Sequence, residues 1–181
     1  MTTRPRATVA DLYHVPGKAE VVDGEIVHMP PTADAPGTAA DEIYYSLRQY
    51  VERTGTGQAV GDNKAFRVNL PHRQSFSPDA AFHTGPRTKM KFYAGAPVFA
   101  AEVRSENDYG PAAEQVMAAK RADYFAAGTQ VVWDVDLLGT DVVRKYTATN
   151  PLHPAVFRRG ETADAEPAVP RWRLAVDNLF R

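Results

Sequence analysis

The chain contains no cysteine. Disulfide bridges, thiolate zinc sites and a cysteine nucleophile are therefore excluded, and the composition fits a reducing cytosol. There is also no excess of charge of one sign: 21 lysines and arginines stand against 22 aspartates and glutamates, a formal net charge of −1. That balance points neither to nucleic acid nor to a membrane surface, so a nucleic-acid interface would need a local basic patch. Long apolar runs are missing too. Met1–Ala10 lacks the apolar core of a signal peptide, and no later stretch has the length to cross a bilayer. A cytoplasmic protein without membrane contact is the expectation. No phosphate-cradling glycine loop and no Gly-x-Ser-x-Gly elbow occur. The five histidines show no metal-ligand spacing.

What is present is ordinary for a globular protein: 181 residues, 44% hydrophobic and 24% charged, enough for one domain with a sizeable core. A single domain over 1–181 is expected, with residues 1–15 as a loose lead-in. Ala19–His28 reads as a β-hairpin, because two β-rich runs flank Asp23-Gly24. Met29–Gly37, with three prolines, reads as a loop. A helix follows from about Thr38 to about Arg53, with Ile43, Leu47, Tyr50 and Val51 as its apolar stripe. Strands are expected within 58–70, around Asp79, around Glu102, at 131–136 and at 141–147. A second helix starts near Pro111 and stops at Gly128. The stretch 151–181 reads as a tail until Trp172–Phe180. The class is α/β (α+β), with one mixed sheet and a helix on each face.

Two short stretches carry the chemistry. Ser77-Pro78-Asp79-Ala80-Ala81-Phe82 and Val98-Phe99-Ala100-Ala101-Glu102-Val103-Arg104-Ser105 each read as a strand holding one carboxylate among small or apolar residues. A buried carboxylate is costly, and two on adjacent strands repel unless something positive lies between them. A divalent cation is the usual remedy. Alternation puts Glu102 and Arg104 on one strand face. On the second helix, at about 100° per residue, Lys120 falls inside the arc marked by Val116, Met117 and Tyr124, while Arg121 and Glu114 fall outside it. A lysine in a core-facing stripe needs a partner, and the acidic pair is the candidate.

Pro78-Asp79, Glu102-Val103-Arg104-Ser105, Lys120 with Tyr124 and Gly128, and Val132-Trp133-Asp134-Val135-Asp136 together resemble the Uma2 family of restriction-endonuclease-like proteins, within the PD-(D/E)XK nuclease superfamily. Glu20–Ile26 and Leu174–Phe180 resemble the family's ends. The resemblance implies a restriction-endonuclease-like core and a metal-dependent endonuclease that hydrolyses phosphodiester bonds in DNA. Asp79, Glu102 and the backbone carbonyl of Val103 would then bind Mg²⁺, with Mn²⁺ able to substitute, and Lys120 would supply the catalytic amine. The superfamily's lysine two residues after the glutamate is here Arg104, which can clamp a substrate phosphate but cannot act as a base. An extra acid from the N-terminal part would be Glu42, preferred, or Glu20.

Blander readings stand beside these. Asp79 could satisfy a loop, Glu102 and Arg104 could form an ion pair on a solvated face, Lys120 could snorkel outward, and Glu42 and Glu20 could be surface residues. Arg87, Lys89 and Lys91 read as a solvated loop that could contact phosphates. The second function class is a catalytically inactive nuclease-fold protein that binds nucleic acid or other proteins. A homodimer could build a joint groove from Arg104, Lys120 and the 87–91 cluster.

Overall fold

The structure, a computed structural model, describes residues 5–181. Residues 1–4 of the expected lead-in lie outside them. Further along that segment, Asp11–His14 forms a short 3-10 turn whose Leu12 is buried against Ala19 and Val21.

Strands β1 (Ala19–Val22) and β2 (Glu25–His28) make the expected hairpin. Asp23 and Gly24 both take positive φ, 53° and 76°, as a two-residue turn of this hand requires. Helix α1 (Asp34–Thr54) begins inside the stretch read as a loop. Pro36 is its third residue, where an N–H has no intrahelical partner to lose. Ile43, Leu47 and Tyr50 are buried as the stripe predicts, and Gly55 in the left-handed region ends the helix.

The chain then forms β3 (Gln58–Val60), β4 (Phe66–Arg67), β5 (Ser75–Phe76), β6 (Ala80–His83), β7 (Tyr93–Ala94) and β8 (Phe99–Val103). Helix α2 (Pro111–Ala126) leads into β9 (Val131–Val135), β10 (Val143–Thr147) and β11 (Asn150–Phe157). Strands β12 (Thr162–Asp164) and β13 (Arg173–Ala175) pair with each other, and a last 3-10 turn covers Val176–Phe180.

Six strands make the central sheet, in the order β11-β10-β9-β8-β6-β3. It is mixed: β8 and β9 run parallel, joined through α2, and the other pairs are antiparallel. The architecture is therefore α+β with an N-terminal hairpin, as the sequence predicts. Strands β6 and β8 are direct neighbours, with Ala80 opposite Ala101 and Phe82 opposite Phe99.

The two faces differ in chemistry. One packs Phe82, Phe99, Ala101, Val103, Val131, Trp133 and Val135 against the stripe of α1 and against Trp172 and Leu179. Trp133, Trp172 and Phe99 meet with ring centroids 5.1 to 5.6 Å apart. The other face packs Ala81, Ala100 and Val132 under Tyr124 of α2, with Phe76 stacked on that tyrosine at 4.0 Å.

Two expectations need correction. The stretch after 150 is not all tail: β11 pairs along β10 as an edge strand despite Pro151 and Pro154, which edges and bulges tolerate. The buried arc of α2 is also rotated from the expected one. Val116 is 69% exposed, while Lys120, Arg121, Asp123 and Tyr124 face inward. The apolar pattern misplaced the arc because the inner face of α2 meets a polar site. Among the described residues no helix is long and apolar enough to cross a membrane.

The join from α1 into β3 depends on Gly57, which has φ 68° and lies against the Phe82 ring. An added Cβ would come within 2.2 Å of Phe82 Cζ. Gly57→Ala combines backbone strain with overpacking and is expected to cost about 2–4 kcal/mol, read from the urea-denaturation midpoint. A loss below about 1 kcal/mol would show that the ring gives way.

Candidate active site

Asp79 stands one residue before β6, so the β6–β8 register sets it opposite Glu102. Glu102 is in turn the register partner of Asp134 on β9. Alternation puts all three acids on the α2 face, in line with Ala81, Ala100 and Val132. Asp79 Oδ2 accepts the Val103 N–H at 2.7 Å, and its own N–H donates to the Ala101 carbonyl. The β8 edge that would continue pairing with β6 is thus closed by a side chain. Because N–H and C=O of one strand residue project the same way, the Val103 carbonyl also faces the Asp79 side.

Lys120 holds the other carboxylate. Its Nζ is 2.9 Å from Glu102 Oε1 and 3.0 Å from Glu20 Oε1. Tyr124 donates its hydroxyl to the same Glu102 oxygen at 2.5 Å. Among the described residues Glu102 Oε2 has no hydrogen-bond or ion-pair partner. Burial, outweighing the pull of Lys120 and aided by the nearby charges of Asp79 and Glu20, raises the Glu102 carboxyl above its ordinary range. Glu20 is more deeply buried, at 3% exposure. Burial opposes its charge, yet Lys120 and Arg73 hold its carboxyl below the usual value. The same carboxylates hold the Lys120 ammonium well above its ordinary range against its burial. Glu20 also accepts the Ser77 N–H at 2.8 Å and Arg73 Nη1 at 2.6 Å. Arg73 Nε continues to Asp123, which pairs with His72 Nε2 at 2.7 Å.

Of the two N-terminal acids weighed from sequence, Glu20 is therefore in the cluster. Glu42, preferred there, sits half-buried on α1 and makes no ion pair among the described residues. Helix α1 covers the opposite face of the sheet, so its acids are on the wrong side.

Sequence reasoning missed Lys18. It lies one residue before β1, and its Nζ donates to Asp79 Oδ1 at 2.5 Å and reaches Asp62 Oδ1 at 2.7 Å. Despite burial, the charges of Asp79 and Glu102 raise its pKa. No local pattern marks this residue, because its partners are brought to it by β3 and β6.

Arg104 is on the expected face but in different company. Its Nε and Nη2 form a bidentate pair with Asp134, both at 2.7 Å, and its remaining donors close on Glu114. Arg104 is 7% exposed. The expected phosphate fork is thus filled by two carboxylates, one buried and one, Glu114, half-exposed. Arg121 lies over the Tyr146 ring at 3.7 Å, and Arg144 Nη2 reaches Asp136 at 3.5 Å. The cations of this face are largely matched to its anions.

Hard oxygen donors suit a divalent cation of the Mg²⁺ type. Asp79, Glu102 and the Val103 carbonyl offer oxygens of that class on one side of the sheet, so the donor chemistry fits such an ion. Among the described residues no three acidic or imidazole side chains are gathered at ligand spacing. Lysine ammonium groups hold the acids at their present positions. Two open cavities of about 750 and 910 Å³ lie elsewhere, and neither is lined by a residue of this cluster. Lys18 and Lys120 fill the space beside the carboxylates.

The order of these elements and residues has a counterpart among known proteins. A family model for Uma2, described as putative restriction endonuclease, matches residues 9–177. The chain belongs to the Uma2 family. No curated protein matches it. Among solved structures, a crystal structure of a putative nuclease belonging to DUF820 from Anabaena variabilis is similar to this Uma2 chain. The match covers 96% of this chain and 97% of that one, with a TM-score of 0.73 and 16% identity. At that identity the likeness concerns the fold.

Lys120→Met removes the cation shared by Glu20 and Glu102, leaving part-buried Glu102 without a contacting cation and buried Glu20 with Arg73 alone. A loss of about 3–5 kcal/mol at neutral pH is expected. Glu20 has a depressed folded-state pKa, so its contribution is present above its ordinary value of 4.5 and is lost as pH falls through the folded value. The penalty of Lys120→Met should therefore shrink in acid. Urea denaturation at neutral and acidic pH measures both parts, and an equal penalty at both would contradict the pairing.

Proposed function

We propose that the protein is a metal-dependent endonuclease that hydrolyses phosphodiester bonds in DNA at the Asp79–Glu102 face. The observation that carries this reading is the pairing of β6 with β8, which sets Asp79 opposite Glu102 with Lys120 on one Glu102 oxygen. Membership of a family described as putative restriction endonuclease supports the same reaction class.

In this reading Asp79, Glu102 through Oε2, and the Val103 carbonyl hold Mg²⁺ or Mn²⁺. When bound, such an ion stabilises charge on the scissile phosphate and makes a neighbouring water more acidic. Lys120 stays charged, so it does not act as a base. It fixes Glu102 and places positive charge beside the developing phosphate charge. Tyr124 and Lys120 together occupy Glu102 Oε1, which leaves Oε2 to face the reaction. Glu20 and Arg73 hold Lys120 in place from the hairpin side.

Arg104 contributes to substrate binding only if Glu114 gives way. Glu114 is the exposed partner of that fork, with a side chain 54% exposed against 7% for Asp134. A DNA phosphate can replace one carboxylate by another anion of matching geometry.

Two measurements test the proposal. Purified protein with plasmid DNA should show cleavage that requires Mg²⁺ or Mn²⁺ and is abolished by chelator. Asp79→Asn and Glu102→Gln should each lower it by at least about a hundredfold, the scale of losing a centre of charge stabilisation. Absence of cleavage in the wild type alongside retained DNA binding would favour the non-catalytic reading. Glu114→Gln should tighten DNA binding several-fold and steepen its salt dependence, because Arg104 gains a free side for phosphate. Fluorescence anisotropy across a salt series reads this, and unchanged affinity would remove Arg104 from the interface.

A further inference from the structure

Among the described residues Lys18 is the one cation paired with Asp79, and each Asp79 oxygen carries one donor. Its Oδ2 is committed to the Val103 N–H at 2.7 Å, at the point where β8 loses its β6 partner. Its Oδ1 carries Lys18 Nζ at 2.5 Å. A divalent cation at Asp79 would need an oxygen at about 2.0–2.1 Å. The backbone donor is fixed by the β8–β9 pairing, where Val103 is opposite Val135. The lysine, in contrast, hangs on a flexible four-carbon stem.

We propose that Lys18 is an internal cation seated where Asp79 meets a divalent metal, so that the ammonium contact and metal binding exclude each other. This rests on the metal-dependent reading above and assigns a new residue to that site. The geometry also provides a place for the displaced ammonium. Asp62, the second partner at 2.7 Å, has a side chain 33% exposed against 12% for Asp79. It lies on the bend after β3 and accepts the Asn63 N–H beside it. Lys18 can release Asp79 and stay with Asp62 by rotating its side chain. Its backbone remains anchored, since its carbonyl accepts the Met29 N–H at 2.9 Å. Lys18 thereby sets how strongly the site holds its metal and keeps the carboxylates neutralised when metal is scarce.

Mn²⁺ titration by calorimetry on the full chain decides this. Lys18→Met should bind Mn²⁺ at least about tenfold more tightly than wild type, because a competing unit charge at contact distance is removed. Lys18→Arg, which keeps the charge, should bind no more tightly than wild type. Circular dichroism confirms folding of each variant. If Lys18→Met does not fold, Lys18→Gln supplies a neutral side chain that can still donate to both acids. Thermal midpoints add an independent readout: Mn²⁺ should raise that of the neutral variant more than that of wild type. Equal Mn²⁺ affinity in wild type and the neutral variant, abolished in both by Asp79→Asn, would overturn the role of Lys18 and leave the metal site standing. No Mn²⁺ binding by any folded variant would overturn both.

Discussion

The ammonium of Lys120 is the tie on which the polar half of the molecule depends. It joins Glu20 of the hairpin, Glu102 of the central sheet and helix α2 in one part-buried contact. Without a cation there, buried Glu20 and part-exposed Glu102 would face each other as like charges, which is less stable than either paired. Arg73 extends the same tie from Glu20 to Asp123 on α2. The hairpin thus docks by ionic contacts as well as by Val21 and Ala19 in their small apolar cluster. The opposite face of the sheet has no such need and is a packed aromatic core.

This difference between faces explains what the sequence made legible. The Asp23-Gly24 turn, the stripe of α1 and the alternation of β8 are local signals, and each element formed, although α1 starts four residues earlier than expected, at Asp34. The pairing of β6 with β8 followed from their strand–linker–strand order, although the linker also contributes β7 to another sheet. The inner face of α2 was misread because its inward residues are Lys120, Arg121 and Asp123 beside Tyr124. Hydrophobic periodicity fails where a helix packs on ions. Strand β11 was hidden by its prolines, and Lys18 by the distance in sequence to Asp62 and Asp79. The preference for Glu42 over Glu20 relied on a helical flank, and only the topology reveals that α1 is on the wrong side. Arg104 was assigned to the right face. Its closure by Asp134 and Glu114 depends on β9 and α2 arriving together, which no local pattern encodes.

The near-neutral composition acquires a structural meaning. Lys18, Lys120, Arg73, Arg104 and Arg144 are all engaged with carboxylates. The positive charge of this face is held in internal pairs. Under the proposed reading, a phosphate would have to exchange with one of these carboxylates, and half-exposed Glu114 is held less deeply than buried Asp134.

The edge strand β11 constrains how copies of this chain can associate. Pro151 and Pro154 remove two backbone donors within eight residues, and the β10–β11 ladder shifts register between Lys145 and Thr147. An incoming strand would find a broken row of donors and a bent template. At the other end of the sheet β3 offers only three residues. Extension of the central sheet by a second copy is therefore disfavoured at both of its ends. Contacts made through side chains leave the sheet that carries the acids undisturbed.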